Sequence, residues 1–148
     1  MAAPFRLATV LRLRERERDR AAQDLDQVQR ASAIVDERAN EIQTEHRRMD
    51  LERQEASQGQ VAIHRLLDAQ RYQLILLGQL QHVSQQRQQL VQEKERREKI
   101  LVTKQQAVKT LEKLKEKHQE EDRLVQQLRQ QSRIDEWSVV REAHRRNL

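Results

Sequence analysis

The feature that most constrains the fold is a heptad repeat that runs without a break through the first segment of the chain. Steps of three and four residues forward from Leu7 give the series Leu7, Leu11, Arg14, Arg18, Ala21, Leu25, Val28, Ser32, Val35, Ala39, Ile42, His46, Met49, Arg53 and Ala56. From Ala21 to Ile42 this seam is mostly apolar, and the residues outside it are mainly Gln, Glu, Asp and Arg. A single stripe of this kind is typical of a long helix that packs against one partner helix.

The composition agrees with a helical fold. The 148 residues include only two Gly and one Pro, while 36% are charged and 2% are aromatic. Because the short strands of a sandwich or barrel need turn residues to reverse, those folds are excluded. The chain is rich in the helix formers Gln, Glu, Arg, Leu and Ala, which argues against disorder. The predicted fold class is therefore all-α.

The best place for the chain to reverse is the stretch QEASQGQV. Ser57 and Gln60 have the spacing of a capping box for a second helix, whereas Gly59 equally suits the left-handed residue that ends a first helix. Gly78 is a competing site, but it lies inside an apolar run, LILLGQL, that has no other turn residue. We expect the turn near Gly59.

These signals predict a single domain, a long antiparallel two-helix coiled-coil hairpin. Helix 1 is expected at about residues 4–56 with Pro4 in its first turn, the turn at about 57–61 and helix 2 at about 62–145. Residue i then lies opposite about residue 118 minus i, so the C-terminal third of the chain extends beyond helix 1. The predicted seam residues are Leu25, Val28, Val35, Ile42, Met49, Val83, Leu90 and Leu111.

The charge-dense run EKERREK interrupts the apolar pattern of helix 2, and we expect the heptad register to slip there, at about 93–99. Residues 1–20 carry six Arg against three acids, and residues 92–118 carry nine basic against five acidic side chains. Residues 21–91 carry eight basic and ten acidic side chains. Since the two basic segments lie side by side in the hairpin, its open end is expected to be basic.

The sequence lacks the motifs that commonly form catalytic and metal sites. With two Gly there is no phosphate-binding glycine loop, and without Cys there is no thiolate metal site. None of the five His has a Glu three residues before it, and the carboxylates at 120–122 have no pocket. We therefore predict no enzymatic activity, cofactor, metal or small-molecule substrate. The N-terminal residues do not resemble a signal peptide and no apolar run has membrane-spanning length, which favours a cytoplasmic protein.

The sequence pI of about 10.0 raises the question of nucleic-acid binding. In the basic stretch RLRERERDR, however, acids alternate with arginines and no aromatic residue is available for stacking on bases. Arg14 and Arg18 also occupy seam positions, where the apolar seam is weak. We interpret the stretch as a mixed-charge surface for an acidic protein and expect no nucleic-acid partner.

Two apolar features resemble binding surfaces. Tyr72 and the consecutive residues Leu74, Ile75, Leu76 and Leu77 point around the whole helix, so one partner helix cannot cover them all. The alternative is a short third helix or a local bend that covers them.

The second feature is a row formed by Ile134, Trp137 and Val140, which share one side of the C-terminal segment. Arg141, Arg145 and Arg146 follow, which favours docking to a partner that offers acidic and apolar contacts. End-to-end self-association through this row is the alternative.

Three clusters along the chain occur in a distinctive order and spacing. They are Phe5-Arg6-Leu7, Val10-Leu11, Leu13-Arg14 and Glu17; then Gly59-Gln60-Val61-Ala62-Ile63 followed by Tyr72 and Leu76; then Asp135-Glu136 ahead of a basic tail. With these clusters the chain as a whole resembles the family of the flagellar export protein FliJ. The chain departs from the family in its Gln content and in having Trp137 after Asp-Glu.

The resemblance implies a non-enzymatic stalk of the flagellar type III export apparatus, cytoplasmic and at the inner face of the membrane near the flagellar base. Its partners are expected to be the export ATPase ring, the cytoplasmic domain of the export-gate membrane protein and export chaperones. The residues expected to dock to the ATPase are Phe5, Arg6, Leu7, Leu11, Arg14, Arg18, Ile134, Asp135, Glu136, Trp137, Val140 and Arg141. Those expected to bind the gate or a chaperone are Tyr72, Leu74, Ile75, Leu76 and Leu77. The open alternatives are the stalk of a virulence-type secretion system, a basic nucleic-acid-binding coiled coil and a structural coiled coil.

Overall fold

A computed structural model describes residues 4–60 and 62–146 of the chain. It contains two helices, α1 (Ala8–Ala56) and α2 (Ile63–Arg146), of 49 and 84 residues. The helices run antiparallel and pack against each other, which confirms the predicted helical hairpin.

The first helix begins later than the sequence indicates. We expected a start near residue 4, but α1 begins at Ala8, and Pro4 lies outside the helix. The Ala8 amide donates to the Phe5 carbonyl at 3.1 Å in a tight turn. The Phe5 ring packs against the His118 ring of α2 in a T-shaped contact, with ring centroids 5.9 Å apart. We attribute the late start to this contact, because a helix end is stabilised mainly by the packing of its side chains.

The reversal lies where the sequence placed it. Gly59 has a φ of 75°, the left-handed conformation, while Gly78 lies inside α2. The Ser57 hydroxyl donates to the Gln54 carbonyl at 2.8 Å, so it completes the end of α1 and does not begin a capping box for α2. Val61, the last residue of the predicted turn, falls outside the described residues.

The chain divides into two compact units. Unit 1 consists of the described residues up to Asp19 together with those from Val102 onward, and unit 2 is Arg20–Leu101. Counted along the sequence, unit 1 holds 16 basic and 11 acidic side chains and unit 2 holds 13 of each. The entire formal net charge of +5 therefore belongs to unit 1.

The core of unit 2 forms between the two helices at seam positions. Its buried residues are Ala39, Ile42, Met49, Leu76 and Val83, with Val35 and Leu80 packed against them. Among the other seam residues named from the sequence, Leu25, Val28 and Leu90 are half-buried in unit 2, and Leu111 is half-buried in unit 1.

The predicted register slip at 93–99 is wrong. Buried and half-buried positions continue at spacings of three and four residues along α2, at Leu90, Lys94, Arg97, Leu101, Lys104, Val108 and Leu111. The apolar pattern is interrupted only because charged residues occupy seam positions. Arg97 occupies a seam position, where the aliphatic part of such a side chain can pack while its charged end stays near solvent. Its guanidinium donates hydrogen bonds to Glu93 at 2.7 Å and to Asp24 at 3.2 Å.

The ion pairs between the helices refine the predicted pairing. Asp24 meets Arg97, and Asp36 meets Arg87 with 2.7 Å between Arg87 Nε and Asp36 Oδ1. The predicted pairing of residue i with residue 118 minus i places one position of α2 opposite each aspartate. Arg97 lies three positions C-terminal to the position opposite Asp24, and Arg87 lies five positions C-terminal to the position opposite Asp36. Side chains tilt toward the N-terminus of their own helix, so in an antiparallel pair the tips meet beyond the opposite backbone position.

Candidate docking sites

The residues expected to dock to an ATPase all fall in unit 1, and those expected to bind a gate or chaperone all fall in unit 2. In unit 1 the structure brings together the N-terminal turn, the first part of α1 and the second half of α2.

Charged residues link the two helices of unit 1 where the apolar seam is weak. Glu17 Oε2 accepts a hydrogen bond from Arg14 at 2.9 Å and another from Lys104 of α2 at 3.2 Å. The Arg14 hydrogen bond and then the Lys104 hydrogen bond lower the pKa of the Glu17 carboxyl below its ordinary value. Arg18 donates to the neighbouring Asp19 at 2.9 Å. Arg14 and Arg18 are half-exposed, so both remain within reach of a partner.

Two of the expected docking residues pack between the helices and are not fully exposed to solvent. Leu11 is buried, and Phe5 is half-buried against His118, whose Nδ1 lies 3.5 Å from Asp122 Oδ2. Leu11 is buried because it occupies a seam position, so it is removed from the exposed surface. Arg6 and Leu7 are exposed beside this contact.

The end of α2 is an overhang, which we define as residues 123–146. Every residue in it is exposed, because Phe5 contacts α2 at His118, before the overhang begins. Among the described residues, Trp137 is the most exposed large apolar one, at 79% of its surface. Ile134 and Val140 are exposed with it, as are the polar candidates Asp135, Glu136 and Arg141. Exposed apolar side chains grouped on one helix make the overhang a candidate interaction surface.

The exposed apolar surface of unit 2 differs from the one predicted from the sequence, because Leu76 is not part of it and two further residues are. Leu76 has 3% of its surface exposed and belongs to the core, since one of four consecutive helical residues must face α1. Leu74, Ile75 and Leu77 are exposed. The Tyr72 hydroxyl lies 3.2 Å from the Glu45 carboxylate and donates to it, which holds the ring beside this surface.

The alternative of a separate short helix over this region is wrong, because α2 is one helix from Ile63 onward. The structure also adds two exposed residues, Ile63 and Leu67, that we had not assigned to this surface. Ile63 lies eleven and Leu67 seven residues before Leu74 on the same side of α2, and this spacing was readable in the sequence.

A model of the flagellar FliJ protein family matches residues 3–147. The chain belongs to the FliJ family. It is therefore a component of the flagellar export apparatus, in a family of structural and regulatory coiled-coil proteins. No curated protein and no solved structure gives a significant match. Within the part of the chain that the structure describes, neither helix has an apolar segment long enough to span a lipid bilayer.

This FliJ-family hairpin also contains a buried polar contact that we had not anticipated. Gln73 is buried at a seam position and donates its side-chain amide to the carboxylate of Asp50. His46 Nδ1 lies 3.5 Å from the other oxygen of Asp50. A polar pair in an apolar seam favours one alignment of the helices over others, because a shifted alignment leaves the amide unpaired.

Proposed function

We propose that the chain is a non-enzymatic stalk that docks through unit 1 to the ring of the flagellar export ATPase and stimulates ATP hydrolysis. The observation that carries the proposal is that one unit combines the whole net positive charge with an exposed helical overhang bearing Trp137. Trp and Arg are the residues most enriched among those that dominate binding energy at protein interfaces. An acidic protein partner is the match for such a surface.

Stimulation follows from differential binding. A stalk whose docking surface needs several subunits at once binds the assembled ring and not the free subunit. By mass action such a ligand stabilises the assembled state. If the assembled ring is the active form of the ATPase, hydrolysis rises in proportion to the amount of ring, without any catalytic group from the stalk.

For unit 2 we propose that the exposed apolar surface contacts the cytoplasmic domain of the export-gate membrane protein or an export chaperone. This surface consists of Ile63, Leu67, Tyr72, Leu74, Ile75 and Leu77. Contiguous apolar side chains on a charged helix are a common recognition mode for protein partners. The proposal places the protein in the cytoplasm, at the inner face of the membrane near the flagellar base.

The test is the steady-state ATPase activity of the purified cognate export ATPase, titrated with the full-length chain. We expect the activity to rise with the stalk concentration to a plateau. A truncation after Arg133 removes Trp137 and is expected to lose most of the effect. If the full-length chain leaves the activity unchanged over the whole titration, the ATPase proposal is wrong.

A further inference from the structure

The overhang presents two faces of different chemistry. Since a helix has about 3.6 residues per turn, residues four apart lie on one side and residues two apart lie on opposite sides. Arg133, Ile134, Trp137 and Arg141 line one shallow groove, which we call the Trp face. Its two arginines lie one turn before and one turn after the indole.

The opposite face has the other sign of charge at its centre. One shallow groove is lined by Leu128, Asp135, Glu136, Val139 and Val140, and another by Val139, Glu142 and Arg146, so these seven residues form a second face. All three acids in the overhang, Asp135, Glu136 and Glu142, belong to this face. The groove on the Trp face has no acidic residue in its lining.

We propose that the overhang docks through the Trp face alone, onto a protein surface with an apolar recess for Trp137 between two acidic positions. The proposal rests on the proposed function, under which this surface belongs to the export ATPase ring. A buried Trp removes about 150–250 Å² from water, and Arg pairs with carboxylates through two parallel hydrogen bonds. Ile134 beside the indole extends the apolar contact.

Charge decides between the two faces. The opposite face would bring Asp135 and Glu142 against an acidic partner, and like charges brought together at an interface are strongly unfavourable. The overhang therefore binds in one rotational setting about its own axis. Of the docking residues expected from the sequence, Asp135, Glu136 and Val140 then lie outside the contact, whereas Arg133 joins it.

Two other occupants fit the Trp face less well. In an antiparallel pair of Trp faces centred on Trp137, Arg133 of one copy lies opposite Arg141 of the other, and their charges repel. A phosphate backbone satisfies the arginines but offers no recess for Ile134 and Trp137. An acidic protein surface satisfies both groups.

The experiment compares two matched pairs of variants in the full-length chain, measuring the dissociation constant for the cognate ATPase by calorimetry. Trp137→Ala and Val139→Ala each remove a large exposed apolar side chain, one from each face. Arg133→Glu and Arg146→Glu each change the charge by the same amount, again one from each face. All four positions are exposed and lie beyond the seam, so circular dichroism is expected to show unchanged helicity.

We expect Trp137→Ala and Arg133→Glu to weaken binding by about tenfold or more, as loss of an interface anchor does. Val139→Ala and Arg146→Glu are expected to stay within about twofold. Equal losses in both members of each pair, with wild-type binding intact, would overturn the one-faced docking and leave the proposed function standing. Absence of wild-type binding would overturn the proposed function itself.

Two controls address the other occupants. Sedimentation of the free chain tests self-association, and a dimer that Trp137→Ala dissociates would overturn the proposal in favour of a second copy. Titration with a single-stranded oligonucleotide tests the nucleic-acid alternative. Oligonucleotide binding as tight as ATPase binding, with the same loss in Arg133→Glu, would also overturn it.

Discussion

Glu17 of α1 accepts a hydrogen bond from Lys104 of α2 at 3.2 Å, and the same carboxylate oxygen accepts one from Arg14 at 2.9 Å. The contact crosses between the helices where the seam has arginine in place of an apolar residue. One carboxylate between two cations therefore helps to hold unit 1 together, in addition to the buried residues Leu11 and Val108 of the same unit.

This contact predicts a dependence of stability on pH. The pKa of Glu17 is lowered in the folded chain, so its contribution is fully present above the ordinary value of 4.5 and is lost as pH falls through the lower folded pKa. We expect Glu17→Gln to lower the melting temperature at pH 7 and the difference from wild type to shrink on acidification. Thermal unfolding followed by circular dichroism between neutral and acidic pH measures this. The control is Glu37→Gln at an exposed position, and an equal effect there would contradict the prediction.

The buried amide of Gln73 predicts sensitivity to a change of one atom. Gln73→Glu keeps the shape of the side chain but places a carboxylate beside that of Asp50 in the seam. We expect a loss of about 1–3 kcal/mol in the free energy of unfolding at pH 7, because one acceptor loses its donor and like charges meet. Urea unfolding is expected to show partial recovery at acidic pH, where the new carboxyl is protonated. The same change at the exposed Gln70 is the matched control, expected to have little effect.

The two glycines are expected to respond to alanine in opposite directions. Gly78 lies inside α2, and an added Cβ meets no atom within 4 Å, so Gly78→Ala is expected to stabilise the chain by about 0.5–1 kcal/mol. Gly59 has a φ of 75°, so Gly59→Ala is expected to destabilise it by about 1–2 kcal/mol. Midpoints of urea unfolding distinguish the two results. A destabilised Gly78→Ala would mean that α2 does not continue through this position in solution.

The four consecutive apolar residues of α2 are expected to divide into core and surface. Leu76→Ala removes a buried side chain and is expected to lower the free energy of unfolding by about 2–5 kcal/mol. Leu74→Ala and Leu77→Ala are expected to leave stability almost unchanged but to weaken binding to the cytoplasmic domain of the gate protein or to a chaperone. Denaturant unfolding and pull-down with purified partners measure the two effects. Unchanged binding to every candidate partner would exclude this surface as the contact.

The seam arginines of unit 1 are expected to lower the stability of the hairpin while they contribute to docking. Replacing both Arg14 and Arg18 with Leu extends the apolar seam and is expected to raise the melting temperature. If these cations contribute to docking, the double variant also stimulates the ATPase less than wild type does. The control is the double replacement of Arg38 and Arg47, exposed residues of unit 2, with Leu. Raised stability with full stimulation would show that the seam arginines do not take part in docking.

The sequence by itself determined the helices, the seam and the site of reversal. These follow from local chemistry, because a repeat of three and four residues defines one side of a helix wherever the partner lies. The left-handed turn at Gly59 is similarly local, since few other residues adopt that conformation without strain. The basic character of unit 1 also follows from counting the charges along the two helical segments that pair at the open end of the hairpin.

Only the tertiary structure decided which individual side chains meet. Leu76 faces the core while its three apolar neighbours do not, Phe5 precedes α1 and packs on His118, and Lys104 donates to Glu17. In each case the outcome depends on the height and rotation of the second helix relative to the first. A one-dimensional pattern does not contain that information, because long side chains tilt along the helix and bury their stems while their charged ends select a partner.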